Sequence, residues 1–157
     1  MSRILQMVGG IDMLTEKDYC DKDLSATLME MGFRGFGHFY YEKDSSKLKA
    51  THQFLTVRTA KALGHTLAIS LYEAQKWLRE EKNIHIEVYA CARGYIYELC
   101  KAYKSGSFSG GTIIYTPDDF NNPKLNDDGE YDDFETCLLE GIKAIIKILK
   151  EDKTTFG

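Results

Sequence analysis

Ser70-Leu71-Tyr72-Glu73-Ala74-Gln75-Lys76-Trp77-Leu78-Arg79-Glu80-Glu81-Lys82-Asn83-Ile84-His85-Ile86-Glu87-Val88-Tyr89 decides the architecture, because its apolar pattern changes from helical to alternating within twenty residues. Ser70 and Glu73 have the spacing of a capping box, each able to satisfy a free backbone amide at a helix start. Leu71, Ala74, Trp77 and Leu78 form a buried stripe, while Gln75, Lys76, Arg79 and Glu80 face water. Asn83 suits a left-handed helix stop. Beyond it Ile84, Ile86 and Val88 point one way and His85, Glu87 and Tyr89 the other, which predicts a strand with one buried face.

Working outward, a turn at Ala92-Arg93-Gly94 leads to a second strand over 95–103. The Gly-Ser loop 105–111 leads to a third strand over 112–116, ended by Pro117. A final helix starts near Asp132, its expected cap, and carries the stripe Phe134, Leu138, Leu139, Ile142, Ile145, Ile146 and Leu149, with Cys137 also inward. Toward the N-terminus, Asp23 is the expected cap of a helix over 23–31, stopped by Gly32. A hairpin follows, 36–42 and 47–54 about a polar turn. The stretch 55–67 is ambiguous, and 1–22 reads as an arm or an edge strand. The expected fold is α+β: a mostly antiparallel sheet, built of a hairpin plus a three-stranded meander, with about three helices packed on one face. A single domain covers 23–151, and 152–157 is a tail.

The 157 residues carry 20 Lys and Arg against 24 Asp and Glu, a net charge of −4, which argues against general nucleic-acid binding. That charge is local. Between Pro117 and Glu135, eight acidic residues face Lys124 alone, a segment of −7 that leaves +3 for the rest. Nothing is apolar enough to span a bilayer, and the start lacks the features of a signal peptide, so a cytoplasmic protein without membrane partners is expected. Cys20, Cys91, Cys100 and Cys137 have no zinc-knuckle spacing and read as reduced thiols; no metal and no cofactor are expected.

The Gly-Ser loop offers backbone amides and the hydroxyls of Ser105, Ser107 and Ser109 to an anion, although it lacks the lysine of a P-loop. Arg93 and Lys101 lie on or near the same hairpin and add phosphate affinity. Tyr41 and Tyr95, with Tyr40, Tyr89, Tyr97 and Tyr103, lie on strands, and exposed tyrosines beside Arg34 and Arg93 suit stacking on a base or a protein. The competing assignment of these tyrosines is cross-strand packing. Residues 124–135 hold a partial calcium-loop pattern, with Asn126, Asp128, Gly129, Asp132 and Glu135 at ligand positions but Lys124 where the first carboxylate belongs. His38, His52, His65 and His85 are scattered; His85 beside Glu87 has the spacing of an oriented imidazole, and no catalytic residue follows from the pattern.

The helix ending Met31-Gly32-Phe33, the run Ala74-Gln75-Lys76-Trp77-Leu78-Arg79-Glu80, the strand opening Asn83-Ile84-His85-Ile86 and the final Phe134-Glu135-Thr136-Cys137-Leu138-Leu139-Glu140-Gly141-Ile142 carry a resemblance. The chain resembles a loose family of small proteins without assigned activity, encoded by phages and prophages of gut Bacteroidales, over residues 23–150. Phe134 and Cys137 depart conservatively from the family's helix start, and 1–22 and 105–111 fall outside its pattern. The resemblance implies an accessory protein of a phage or prophage, acting in the bacterial cytoplasm. The expected function is non-enzymatic binding of a host protein or of a small anionic ligand, in its sharper form counter-defence sequestration of a nucleotide. The alternatives are a small enzyme acting on nucleotides through His85, Glu87 or Asp127 and Asp128, and a structural or virion component. A sheet with one uncovered face further suggests a homodimer or higher homo-oligomer.

Overall fold

A computed structural model of the chain describes residues 14–102, 112–115 and 122–151. The fold is α+β, and the chain falls into two compact units, Met1–Ala74 and Gln75–Gly157. Each unit has its own three-stranded antiparallel sheet. Among the described residues no helix is long and apolar enough to cross a membrane.

In the first unit, a short 3-10 turn, Glu16–Asp18, precedes α1, Lys22–Glu30. The cap of α1 is Asp21, whose Oδ1 accepts from Leu24 N at 2.9 Å, rather than the expected Asp23. Gly32 ends the helix at φ 102, as its position predicted, and Phe33 N closes back on Leu28 O at 2.9 Å. Residues 14–20, part of the stretch that reads as an arm or an edge strand, belong to this unit: Asp18, Tyr19 and Cys20 are buried, and Cys20 N donates to Ile69 O. The hairpin comprises β1, Phe36–Tyr41, and β2, Leu48–Thr56. The ambiguous stretch resolves into α2, Val57–Ala62, and a two-residue strand β3, Thr66–Leu67. β3 joins the hairpin on the far side of β1, so the strand order is β2-β1-β3. Its two residues are too few to show alternation in the sequence, which is why the stretch 55–67 reads as ambiguous. Tyr19, Phe39, Tyr41 and Ala68 form the apolar centre of this sheet, with Leu14 and Leu48 packed against them.

α3, Leu71–Lys82, starts in the first unit and continues into the second. Its capping box is present: Glu73 N donates to Ser70 Oγ and Ser70 N to Glu73 Oε2, both at 3.1 Å. Asn83 makes the left-handed stop at φ 54. In the second unit β4, Ile84–Ala90, pairs with β5, Tyr95–Lys101, in unbroken register from Ile84 opposite Lys101 to Ala90 opposite Tyr95. β6, Thr112–Tyr115, completes the meander β4-β5-β6. α4, Phe134–Glu151, packs across β4 and β5 and buries Cys137, Leu138, Ile142, Ile145 and Ile146. Its cap is Asp133, one residue beyond the expected Asp132, with Thr136 N donating to Asp133 Oδ1 at 2.7 Å. The helix comes close to the sheet at Gly141, where an added Cβ would meet Ile86 Cγ2 at 2.7 Å. Glycine there sets the spacing of helix on sheet. The described residues thus hold four α-helices, α2 being the one that the sequence left undecided.

Candidate functional site

The residues singled out from the sequence divide between the two units. Arg34 and Tyr41 lie in the first, Arg93, Tyr95 and Lys101 in the second, and Ser105, Ser107 and Ser109 fall outside the described residues. Tyr41 presents no stacking surface. It is 5% exposed, its hydroxyl donates to Cys20 O at 2.7 Å, and burial pushes its phenol well above the ordinary tyrosine range. Tyr97 likewise points inward, stacked 6.1 Å from Tyr131 beneath α4. Tyr95 is half-buried, bridged to Tyr131 through both backbone groups and set edge-on to Phe134 at 6.0 Å. Tyr89 is the exposed member of this group among the described residues, and its hydroxyl donates to Glu98 Oε2 at 3.3 Å. Among the described residues, Tyr41 and Tyr97 are taken up by packing, in keeping with the cross-strand alternative, and Tyr103 lies outside the described residues.

Arg93 is committed to the acidic segment. Its backbone N–H donates to Glu130 Oε2 at 2.9 Å, its carbonyl accepts from Asn126 Nδ2 at 3.1 Å, and its guanidinium lies 3.8 Å from Asp128. Asn126 organises the same loop, its Oδ1 accepting from Asp128 N and Glu130 N while its Nδ2 also reaches Asp132. Lys124 is paired with Glu140. These side chains turn to protein partners, and among the described residues no three His, Cys, Asp or Glu side chains converge as metal ligands would. On the strand face, His85 Nδ1 lies 3.7 Å from Glu87, and Cys100 stands opposite His85. Burial and the carboxylates of Glu87 and Glu98 raise the Cys100 thiol, so it is a poorer thiolate than an ordinary cysteine.

The first unit holds the arrangement the sequence reading missed, built on an irregularity in the hairpin. Phe39 faces Ala50 but Gly37 faces Leu55, so a step of two residues on β1 is matched by five on β2. The surplus bulges out at residues 51–54. His38 Nδ1 holds the bulge through Thr51 O at 3.2 Å. Phe54 is thereby placed against Phe36, with ring centroids 4.6 Å apart, and against the edge of His38 at 5.6 Å. Phe36 and Phe54 remain 62% and 55% exposed, more than the other large apolar strand side chains among the described residues. Bulges are often found where a strand must re-aim a side chain.

Beside Phe36 opens a cleft of about 570 Å³, lined by Arg34, Gly35, Phe36, Thr56, Val57, Arg58 and Lys61. Thr56 caps α2 through Thr59 N at 3.1 Å, and Ala60, fully buried, fixes the inner side of that helix. Arg58 and Lys61, three residues apart, share the outer side. Gly35 keeps the cleft open next to Phe33, whose Cε1 would sit 2.6 Å from an added Cβ. Arg34, Arg58 and Lys61 are all exposed, and among the described residues none of them forms an ion pair with a carboxylate. Three uncompensated cations around an aromatic wall attract an anion that also carries a flat ring. Of these groups sequence reading named Arg34 alone. Arg58 and Lys61 were visible as an i, i+3 pair in the ambiguous stretch, and the run Thr51-His52-Gln53 before Phe54 broke the alternation of the strand.

Compared with known proteins, the chain matches no family model, no curated protein and no solved structure.

Proposed function

We propose that the chain is a binding protein for a small anionic ligand with a planar ring, by chemical class a nucleotide, seated between Arg34, Arg58 and Lys61 with its ring against Phe36. The observation that carries this reading is the cleft of about 570 Å³ in which three cations face an exposed aromatic side chain without a neutralising carboxylate. Its size is that of small-ligand sites generally. Its polar side chains are two guanidiniums, an ammonium and the capping hydroxyl of Thr56, groups that hold a phosphate but supply no general base at neutral pH. Retention rather than turnover follows. Joined to the resemblance noted above, the role is that of a phage- or prophage-type accessory protein that sequesters a nucleotide.

The test is thermal denaturation of the purified protein with a panel of linear and cyclic nucleotides, followed by recovery of the ligand. A bound nucleotide at about one hundred times its Kd stabilises the fold by about 2.7 kcal/mol and comes back intact. The double variant Arg58→Ala, Lys61→Ala loses that stabilisation while keeping its unliganded melting temperature, because both side chains are exposed and unpaired. Absence of any shift across the panel, or an unaltered shift in the double variant, overturns the reading. A chemically changed ligand overturns the binding-only part and favours an enzyme.

A further inference from the structure

Phe36 is a wall shared by two hollows. The second is a cavity of about 450 Å³, lined besides Phe36 by Tyr19, His38, Phe54, Tyr72 and Glu73 among others. The chemistry of the two sides is opposite. The cleft holds three cations, whereas the cavity holds aromatic rings and a carboxylate. Glu73 is fixed there by the helix start: its Oε2 accepts from both Ser70 N at 3.1 Å and Ser70 Oγ at 3.0 Å. Its Oε1 accepts no hydrogen bond among the described residues. Tyr72, another residue of the cavity lining, is tied to a second carboxylate, its hydroxyl donating to Asp18 Oδ1 at 2.6 Å.

A phosphate is repelled from such a cavity, and so is any ring edge that presents acceptors. A carboxylate accepts and cannot donate. Among the nucleobases, adenine and cytosine set a ring-nitrogen acceptor beside their amino group, and uracil flanks its ring N–H with two carbonyls. Guanine alone presents a ring N–H and an amino group side by side with no acceptor between them. We infer that cleft and cavity are the two halves of one site for a guanine nucleotide, with the phosphate at Arg34, Arg58 and Lys61 and the base across Phe36, its N1–H and N2–H2 edge toward Glu73. The Phe36–Phe54 pair supplies the apolar surface on which the base stacks. This rests on the nucleotide reading above and narrows it to one base.

The experiment is calorimetric titration of the full chain with GMP, AMP, IMP and inorganic phosphate, repeated on Glu73→Gln. Glutamine at this position preserves the capping box, so the variant keeps its fold and loses only the charge. GMP binds about tenfold more tightly than AMP, and IMP, which lacks the N2 amino group, falls between them. Glu73→Gln brings GMP down toward AMP and leaves AMP and phosphate unchanged. GMP and AMP of equal affinity on the unaltered protein, or a preference that survives Glu73→Gln, overturns the guanine assignment while leaving the nucleotide reading intact. If none of the four ligands binds, both fall. The comparison of GMP with AMP needs no variant and decides the question even if Glu73→Gln proves unstable.

Discussion

At the scale of single residues, burial rather than charge pairing governs the groups whose chemistry is most altered. Cys137 is completely enclosed by the second unit, and burial pushes its thiol from about 9 up to about 12. The unfolded chain therefore gives up that proton some three pH units before the folded one does. Stability owed to the neutral thiol is complete below pH 9 and declines as pH rises from 9 to 12, by up to about 1.4 kcal/mol per pH unit. Denaturant melts between pH 8 and about 11 should show this decline, and Cys137→Ala should flatten it; an unchanged slope in the variant rules the effect out. Tyr41 acts in the same direction in the first unit. Cys137 was legible in the sequence as an inward-facing member of its stripe. Tyr41 was legible only as a strand aromatic, since nothing in local sequence announces that Cys20, twenty-one residues away, supplies the acceptor for its hydroxyl.

At the scale of elements, the long amphipathic segments were readable and the short ones were not. α3 and α4 announce themselves by repeated apolar spacing over a dozen residues or more and β4 by strict alternation over seven, and the middle of each stripe is buried: Leu71, Ala74 and Leu78, Ile84 and Ile86, and Leu138, Ile142, Ile145 and Ile146. Helix ends are decided by one hydrogen bond, and there the sequence offered neighbouring aspartates with equal claims. At α1 the acceptor is Asp21, while Asp23 sits within the first turn. Asp21→Ala accordingly costs about 1 kcal/mol, measured by chemical denaturation, and Asp23→Ala costs about 0.3 kcal/mol through its loss beside the helix N-terminus. Equal costs would put the cap elsewhere. The candidate site suffered most from this difference in legibility. Two of its three cations lie on a six-residue helix, its shape on a register jump in β2, and its carboxylate on a residue that the sequence marked as a cap. A surplus of three residues in one strand is a property of the pairing, and pairing is what a single strand's pattern does not contain.

At the scale of the whole molecule, the two units differ in charge. Met1–Ala74 carries nine basic and nine acidic residues, so the entire net charge of −4 belongs to Gln75–Gly157. A ligand anion is thus drawn to the cleft by three placed cations rather than by any excess of positive charge in its unit. Such short-range attraction is screened by salt: raising NaCl from about 0.05 to about 0.5 M weakens nucleotide binding roughly tenfold, and leaves binding of the phosphate-free nucleoside nearly unchanged. Parallel titrations at the two salt concentrations check this, and equal salt sensitivity of nucleotide and nucleoside would show that the cations do not hold the phosphate. The bulge in β2 has a consequence beyond the site it shapes. β2 lies at the border of its sheet, where an uninterrupted row of free N–H and C=O groups beside exposed phenylalanines would template strand-to-strand polymerisation. By looping out residues 51–54, the chain breaks that row at the place where its apolar rings are most exposed, and so displays a sticky surface without becoming a seed for aggregates.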